Sequence, residues 1–216
     1  DVFDLAPQAL GRLLPLQAAT FFQQRLESAG VKFHFSTSIV SVVKSNARYL
    51  LHDNHGVLHQ TDLVLSAIGL IPETGLARTA GLTTNRGIVV DLYQQANAGA
   101  TDAPIYALGD CMEVGQLNLP FILPIMAQAR ALAKTLAGTP TELHYAAMPV
   151  VVKTPACPTV VCPPPAGAAG AWQETSSDNG VRALFLDNED KPLGFALTGS
   201  AGAGRQSLAT QIPAWM

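Results

Sequence analysis

Ile105-Tyr106-Ala107-Leu108-Gly109-Asp110-Cys111-Met112-Glu113-Val114 is the stretch from which the fold can be read. Residues 105–108 form an apolar run of strand length. Gly109 frees the backbone just after that run, and Asp110 then sets a carboxylate at the carboxyl end of the predicted strand. In open α/β sheets, ligands sit in crevices at that end. A lone carboxylate there, beside a glycine that permits close approach, suits hydrogen bonding to a polyol or a ribose. The same residues equally suit an Asp-containing turn that binds nothing. The surrounding sequence has to separate the two.

On the C-terminal side, residues 124–136 carry Ile125, Ala129, Leu132 and Leu136 at helical spacing, and Gly138 stands where a helix ends. On the N-terminal side, residues 63–67 are a continuous apolar run leading to Gly69, as expected of a strand buried on both faces of a parallel sheet. Farther back, Val2 and Phe3 end a strand with Asp4 at its carboxyl end. Pro15 opens a helix with Leu16, Ala19, Phe22 and Leu26 on one face, and Gly30 closes it. Val31, Phe33 and Phe35 alternate with Lys32 and His34, which predicts a strand. Further short strands are predicted at 39–43, 49–51, 57–59 and 88–90, with a turn at 52–56 and a loop at 93–102. Beyond Tyr145 the texture changes. Strands are predicted at 149–152 and 160–161, Pro163-Pro164-Pro165 forms a stiff extended link, and 182–186 pairs with 193–197 as a hairpin.

Composition narrows the classes available. The chain has 216 residues, 48% hydrophobic and 13% charged, which supports a substantial core and excludes disorder. A net charge of −3 with no long basic run argues against nucleic acid as a partner. No apolar run reaches membrane-spanning length, and the first residues lack a signal-peptide layout. Three cysteines fit a reducing compartment, so a cytoplasmic location is expected.

Four groups of residues carry candidate chemistry. Asp4, at a strand's carboxyl end, is either a ribose-binding carboxylate or a surface Asp. Ser66-Ala67-Ile68-Gly69-Leu70-Ile71-Pro72 either brings a backbone close to a ligand or is a plain strand end. Lys153, closing an apolar run, is either aimed at an anionic group or solvated. Cys157 and Cys162, set along an extended, proline-flanked segment, are expected to be structural thiols on opposite faces, and Cys111 a small buried thiol. The five histidines show no metal-ligand or triad spacing, and no Gly-x-Ser-x-Gly is present, so neither a metal site nor a catalytic nucleophile is predicted. No Gly-x-Gly-x-x-Gly occurs either, so a complete dinucleotide site is not expected from these residues alone.

Val-Phe-Asp, then Ser-Ala-Ile-Gly-x-x-Pro, then Ile-Tyr-Ala-Leu-Gly-Asp-Cys, in this order, resembles the pyridine-nucleotide-dependent flavoprotein disulfide reductase superfamily. Within it, the run at 119–138, followed by Met-Pro-Val-Val-Val-Lys-Thr-Pro-Ala-Cys-Pro and the triple proline, is similar to the rubredoxin–NAD(+) reductases. The resemblance implies an α/β flavoprotein reductase, partial here, with two Rossmann-like dinucleotide-binding domains and a small α+β C-terminal domain. It implies that 1–72 are the later part of the NAD-binding domain, 73–148 the returning half of the FAD-binding domain, and 149–216 the C-terminal domain. It further implies FAD and NAD as cofactors and rubredoxin, or another small iron–sulfur carrier, as the partner. Asp110 matches a residue that bonds the flavin's ribityl chain, with Gly109 before it. Ile122 matches a position whose backbone meets the isoalloxazine, and Lys153 a lysine beside that ring. Asp4 matches the acidic residue that holds the NAD ribose, and Gly69 lies in the strand-end motif. Related activities on the same scaffold are ferredoxin reductase and NADH oxidase, and a folded remnant that holds no flavin is the non-catalytic alternative. Purified as these 216 residues and incubated with FAD, the chain is expected to stay colourless. Stable flavin absorbance after desalting would refute that expectation.

Overall fold

The computed structural model describes residues 1–97 and 103–216. The predicted loop at 93–102 therefore lies in part outside the described residues. The chain forms two compact units, Asp1–Ser66 with Pro149–Pro213, and Ala67–Met148 with Ala214–Met216.

The first unit begins with a βαβ element. Strand β1 (Val2–Asp4) pairs in parallel with β2 (Phe33–Phe35), and helix α1 (Leu16–Ser28) crosses between them. Gly30, at φ +95°, reverses the chain after α1, as a glycine in the C-terminal position should. An antiparallel meander follows, β3 (Ile39–Ser45), β4 (Arg48–Asp53) and β5 (Leu58–Thr61). Residues 63–67 were expected to form a buried strand, yet they have no regular structure, and Leu63 and Leu65 are 79% and 84% exposed. An apolar run becomes a strand only beside a partner that takes its N–H and C=O groups, and no described strand pairs with it.

The second unit is built on helix α2 (Gly75–Thr79), strands β6 (Ile88–Val90), β7 (Gln95–Ala96), β8 (Ile105–Tyr106) and β9 (Met112–Val114), and helix α3 (Ile122–Leu136). Its sheet runs β8-β7-β6-β9, and only β6 and β9 are parallel. The core joins Val90, Ala96, Ala107, Met112, Val114, Ala131, Leu143, Tyr145 and Met148. Helix α3 starts two residues earlier than predicted and shows a different face. Pro124, Gln128, Ala131 and Leu132 are buried, whereas Ala129 and Leu136 are exposed. The apolar pattern misplaced the face because a polar residue, Gln128, points into the core. Carbonyl groups crowd the turn before β6, where a Cβ on Gly87 would stand 2.7 Å from the Cys111 carbonyl oxygen.

The chain then returns to the first unit as an antiparallel sheet of β10 (Val150–Val152), β11 (Thr159–Cys162), β12 (Ala171–Ser177), β13 (Gly180–Leu186) and β14 (Pro192–Thr198), ordered β10-β11-β14-β13-β12. The predicted hairpin is β13–β14, with Arg182 opposite Leu197 and an irregularity at Phe185/Leu186. Strand β12 was not predicted. Its sequence, Ala-Trp-Gln-Glu-Thr-Ser-Ser, is mostly polar, and only Trp172 and Glu174 are half-buried. Cys157 and Cys162 are both buried thiols, and Cys111 is half-buried. A short helix, α4 (Arg205–Ala209), follows. No described helix is long and apolar enough to cross a membrane.

Helix α1 lies on this sheet. Ala18 and Ala19 share a core with Phe22, Val181, Ala183 and Ala196, and four small side chains let helix and strands approach closely. Leu16, expected on the buried face, is 66% exposed. The helix is turned so that its first N–H groups meet Glu174 of β12. Ala18 N–H donates to Oε2 at 2.9 Å and Gln17 N–H to Oε1 at 3.2 Å. Pro15, the residue before the helix, offers no side-chain cap, so Glu174 supplies from a distant strand what a local cap would. Ser176 Oγ donates to Gln17 Oε1 at 2.6 Å, and Arg25 Nη2 to the Asp178 carbonyl at 2.7 Å, along the same seam. Glu174→Ala should therefore lower stability by about 1 kcal/mol in urea unfolding. An unchanged midpoint would show that α1 does not depend on this carboxylate.

Candidate functional site

In the second unit, the loop from β8 to β9 is tethered by several hydrogen bonds. Strand β8 ends at Tyr106, earlier than the predicted strand, and Asp110 lies in the turn that follows rather than on a parallel strand's end. Gly109 has φ +86°, where side chains are disfavoured. Its N–H donates to Gln128 Oε1 at 2.6 Å, and its carbonyl accepts from Met112 N–H at 3.1 Å. Asn118 Nδ2 donates to the carbonyls of Asp110 and Met112 at 2.8 and 2.9 Å. With the backbone held at these points, the Asp110 side chain is exposed, and its carboxylate makes no hydrogen bond among the described residues. A Cβ on Gly109 would meet nothing within 4 Å, so the backbone face beside Asp110 is open.

Below the loop, β9 carries Glu113, which is 3% exposed. It accepts from Asn85 Nδ2 and Gly87 N–H, each at 2.9 Å. Burial pushes its carboxyl up, but those bonds, with the Arg86 backbone and charge, outweigh it and hold the group below the ordinary carboxylate range. Glu113 thus stays ionised and clamps the turn before β6 to β9.

Helix α3 begins at Ile122, after Phe121 in extended conformation, with no side-chain cap and no acidic residue in its first turn. Its N-terminal partial positive charge is unneutralised by its own side chains. Ile122 and Leu123 are 72% and 52% exposed. Gly69, at φ +106°, lies in an exposed segment, and no hydrogen bond ties it to the Asp110 loop.

In the first unit, Asp4 closes β1. Its Oδ1 accepts from Ala6 N–H at 2.9 Å and its carbonyl from Thr37 N–H at 3.0 Å, and among the described residues the exposed side chain's other oxygen has no bond. Lys153 follows β10, is exposed, and makes no ion pair among the described residues.

The sequence did not point to a cluster beside β1. Phe3 stacks on His34 at 4.5 Å and meets His59 edge-on at 4.8 Å. His59 Nε2 lies 2.9 Å from Asp53 Oδ2. Asp53 Oδ1 accepts from His55 and Val57 N–H at 2.9 and 2.8 Å. Spacing could not reveal this group, because β1, β2, β4 and β5 converge only in the fold. Among the described residues, no three His, Cys, Asp or Glu side chains are placed to hold a metal ion.

A model of the family described as pyridine nucleotide-disulphide oxidoreductase matches residues 1–148, and the chain belongs to that family. A second model, a rubredoxin binding C-terminal domain, matches residues 142–212. Among curated proteins, the chain is 46% identical to the rubredoxin-NAD(+) reductase of Alcanivorax borkumensis, over 97% of this chain and 55% of that one. It is 45% identical to the rubredoxin-NAD(+) reductase of Acinetobacter baylyi, over 98% of this chain and 54% of that one. The chain thus spans about half the length of these relatives. A crystal structure of a ferredoxin reductase from Rhodopseudomonas palustris shares the fold, with a TM-score of 0.83, 22% identity, and coverage of 99% of this chain and 54% of that one.

The Asp53 carboxyl is lowered from 3.8, first by the His59 hydrogen bond, against burial, and then by the Val57 and His55 N–H groups. A depressed carboxyl stabilises the fold fully above its unfolded value, and that stability is lost as pH falls through the folded value. Asp53→Ala should lower the melting temperature at neutral pH, with the gap to the parent closing below about pH 4. A gap that stays constant into that range would show that ionisation carries none of the effect.

Proposed function

We propose that this chain is part of an NADH-dependent flavoprotein that delivers electrons to rubredoxin. The observation that carries the reading is the succession of two family matches along one chain, an oxidoreductase over 1–148 and a rubredoxin-binding domain over 142–212. Identities of 46% and 45% to two rubredoxin-NAD(+) reductases support it. Bound FAD would accept a hydride from NADH and release electrons singly.

The second unit's residues fit such a group. The Asp110 carboxylate has no hydrogen-bond partner among the described residues and lies beside an open Gly109 backbone, as an acceptor for the ribityl hydroxyls requires. The uncapped N-terminus of α3, with Ile122 as its first residue, suits the flavin edge that gains negative charge on reduction. Lys153, in the other unit, is assigned on its family position alone, as a cation that favours the reduced ring. Asp4, whose second oxygen has no bond among the described residues, is assigned to the NAD ribose, and Gly69 to close backbone approach at the cofactor. No side chain is assigned as a catalytic acid, base or nucleophile.

On this reading, residues 1–72 are the later part of the NAD-binding domain, 73–148 the returning half of the FAD-binding domain, and 149–216 the C-terminal domain. The odd cysteine count supports a cytoplasmic location.

In a chain of the relatives' full length, Asp110→Ala should weaken FAD binding about tenfold or more, as loss of a charged hydrogen-bond acceptor implies. Unchanged flavin content would remove Asp110 from the site. Turnover of the parent with rubredoxin should exceed that with ferredoxin or oxygen. The reverse order would assign the protein to a sister activity.

A further inference from the structure

Gln128 stands in the second turn of α3 and is 1% exposed. A buried amide is costly unless all its groups are paired, and a methionine would fill the same space without that cost. Both polar atoms of this amide have a partner, the oxygen as acceptor and the nitrogen through one of its two hydrogens. Oε1 accepts from Gly109 N–H at 2.6 Å, and Nε2 donates to the Tyr145 hydroxyl at 2.7 Å. Its main-chain carbonyl accepts from Gln94 Nε2 at 3.0 Å. Gln94 is itself fully buried, and its own carbonyl accepts from Ala107 N–H at 3.1 Å. The two glutamines therefore hold the chain at positions 107 and 109, on either side of Leu108 and just before Asp110.

The orientation of the Gln128 amide is decided by chemistry. Turned over, Nε2 would face the Gly109 N–H, donor against donor, so the amide oxygen has to point at the loop. Tyr145, 1% exposed, accepts from Nε2 on the other side. Gly109, at φ +86°, has no side chain to restrict its peptide plane. The hydrogen bond that Gly109 N–H donates to Gln128 Oε1 supplies that missing restriction.

We propose that Gln128 is a positioning residue for the flavin site: by fixing the Gly109 peptide, it aims the Asp110 carboxylate at the ribityl chain. The proposal rests on the reading of Asp110 given above. Gln128 does not touch the cofactor; it acts through Gly109 and Asp110.

Two readouts test it. In the 216-residue chain, Gln128→Met should speed hydrogen exchange at the Gly109 amide about tenfold or more, while amides in β6 keep their rates. Gln128→Glu, which keeps an acceptor facing Gly109 N–H, should retain the protection. In the full-length flavoprotein, FAD titration followed by flavin fluorescence should weaken about tenfold for Gln128→Met and stay within about threefold for Gln128→Glu. Should Gln128→Met not fold, Tyr145→Phe decides: it keeps the packing, removes the acceptor for Gln128 Nε2, and should speed Gly109 exchange about threefold. A Gly109 amide as protected as in the parent, in whichever of these two variants folds, overturns the proposal. So does FAD binding that Asp110→Ala weakens but Gln128→Met leaves alone. FAD binding untouched by Asp110→Ala would instead overturn the reading of Asp110, and with it the flavin role of Gln128.

Discussion

Buried polar groups favour partners, and both units of this chain are organised largely around that constraint; among the described residues, Gln94 Oε1 and Trp215 Nε1 are buried side-chain atoms without one. It acts most tightly at Gln128, whose side-chain amide is shared between the Gly109 N–H and the Tyr145 hydroxyl. Because that amide must be satisfied, α3 has to sit against the loop before β9, and the loop has to present its N–H inward. Presenting the N–H inward leaves the next side chain, Asp110, outside. The same rule acts on Glu113, which clamps the turn before β6 to β9, and on Thr198, whose hydroxyl accepts from Val181 N–H at 2.9 Å between β13 and β14. Apolar packing alone would tolerate many placements of α3; paired polar groups leave few.

The first unit solves a different problem with a related device. A two-stranded parallel sheet cannot cover its own faces. Helix α1 packs its alanines against β13 and β14, in a core that Phe33 and Phe35 of β2 also border. The contact needs the helix end to be satisfied where it meets the strands, and Glu174 does that. The segment carrying Asp4 and the C-terminal sheet are thereby joined through one helix.

Legibility followed locality. Gly30, the β13–β14 hairpin and strand β2 each depend on residues within a few positions of one another, and each was readable. Strand β12 was not, because its Ser and Thr residues pack little and its pairing with β13 comes from the turn at 178–179. The run at 63–67 was read as a strand on its apolar content, but a strand also requires a neighbour, which sequence periodicity does not report. The buried face of α3 was misplaced because a period drawn through apolar residues passes over a buried glutamine. The Phe3, His34, His59 and Asp53 cluster draws on four strands and has no linear signature.

From sequence alone came the Gly109-Asp110 pair, the carboxylate of Asp4 after a strand, and the order of motifs that places the chain in its family. Residue identity is enough for these, since glycine's backbone freedom and a carboxylate's acceptor chemistry belong to single residues. Only the tertiary structure decided how Asp110 is held: by Gln128 from 18 to 19 positions away, by Asn118, and through Gln94 and Tyr145 behind them. Those bonds join residues that the chain brings together only by folding, and their strength depends on a burial that no linear pattern records.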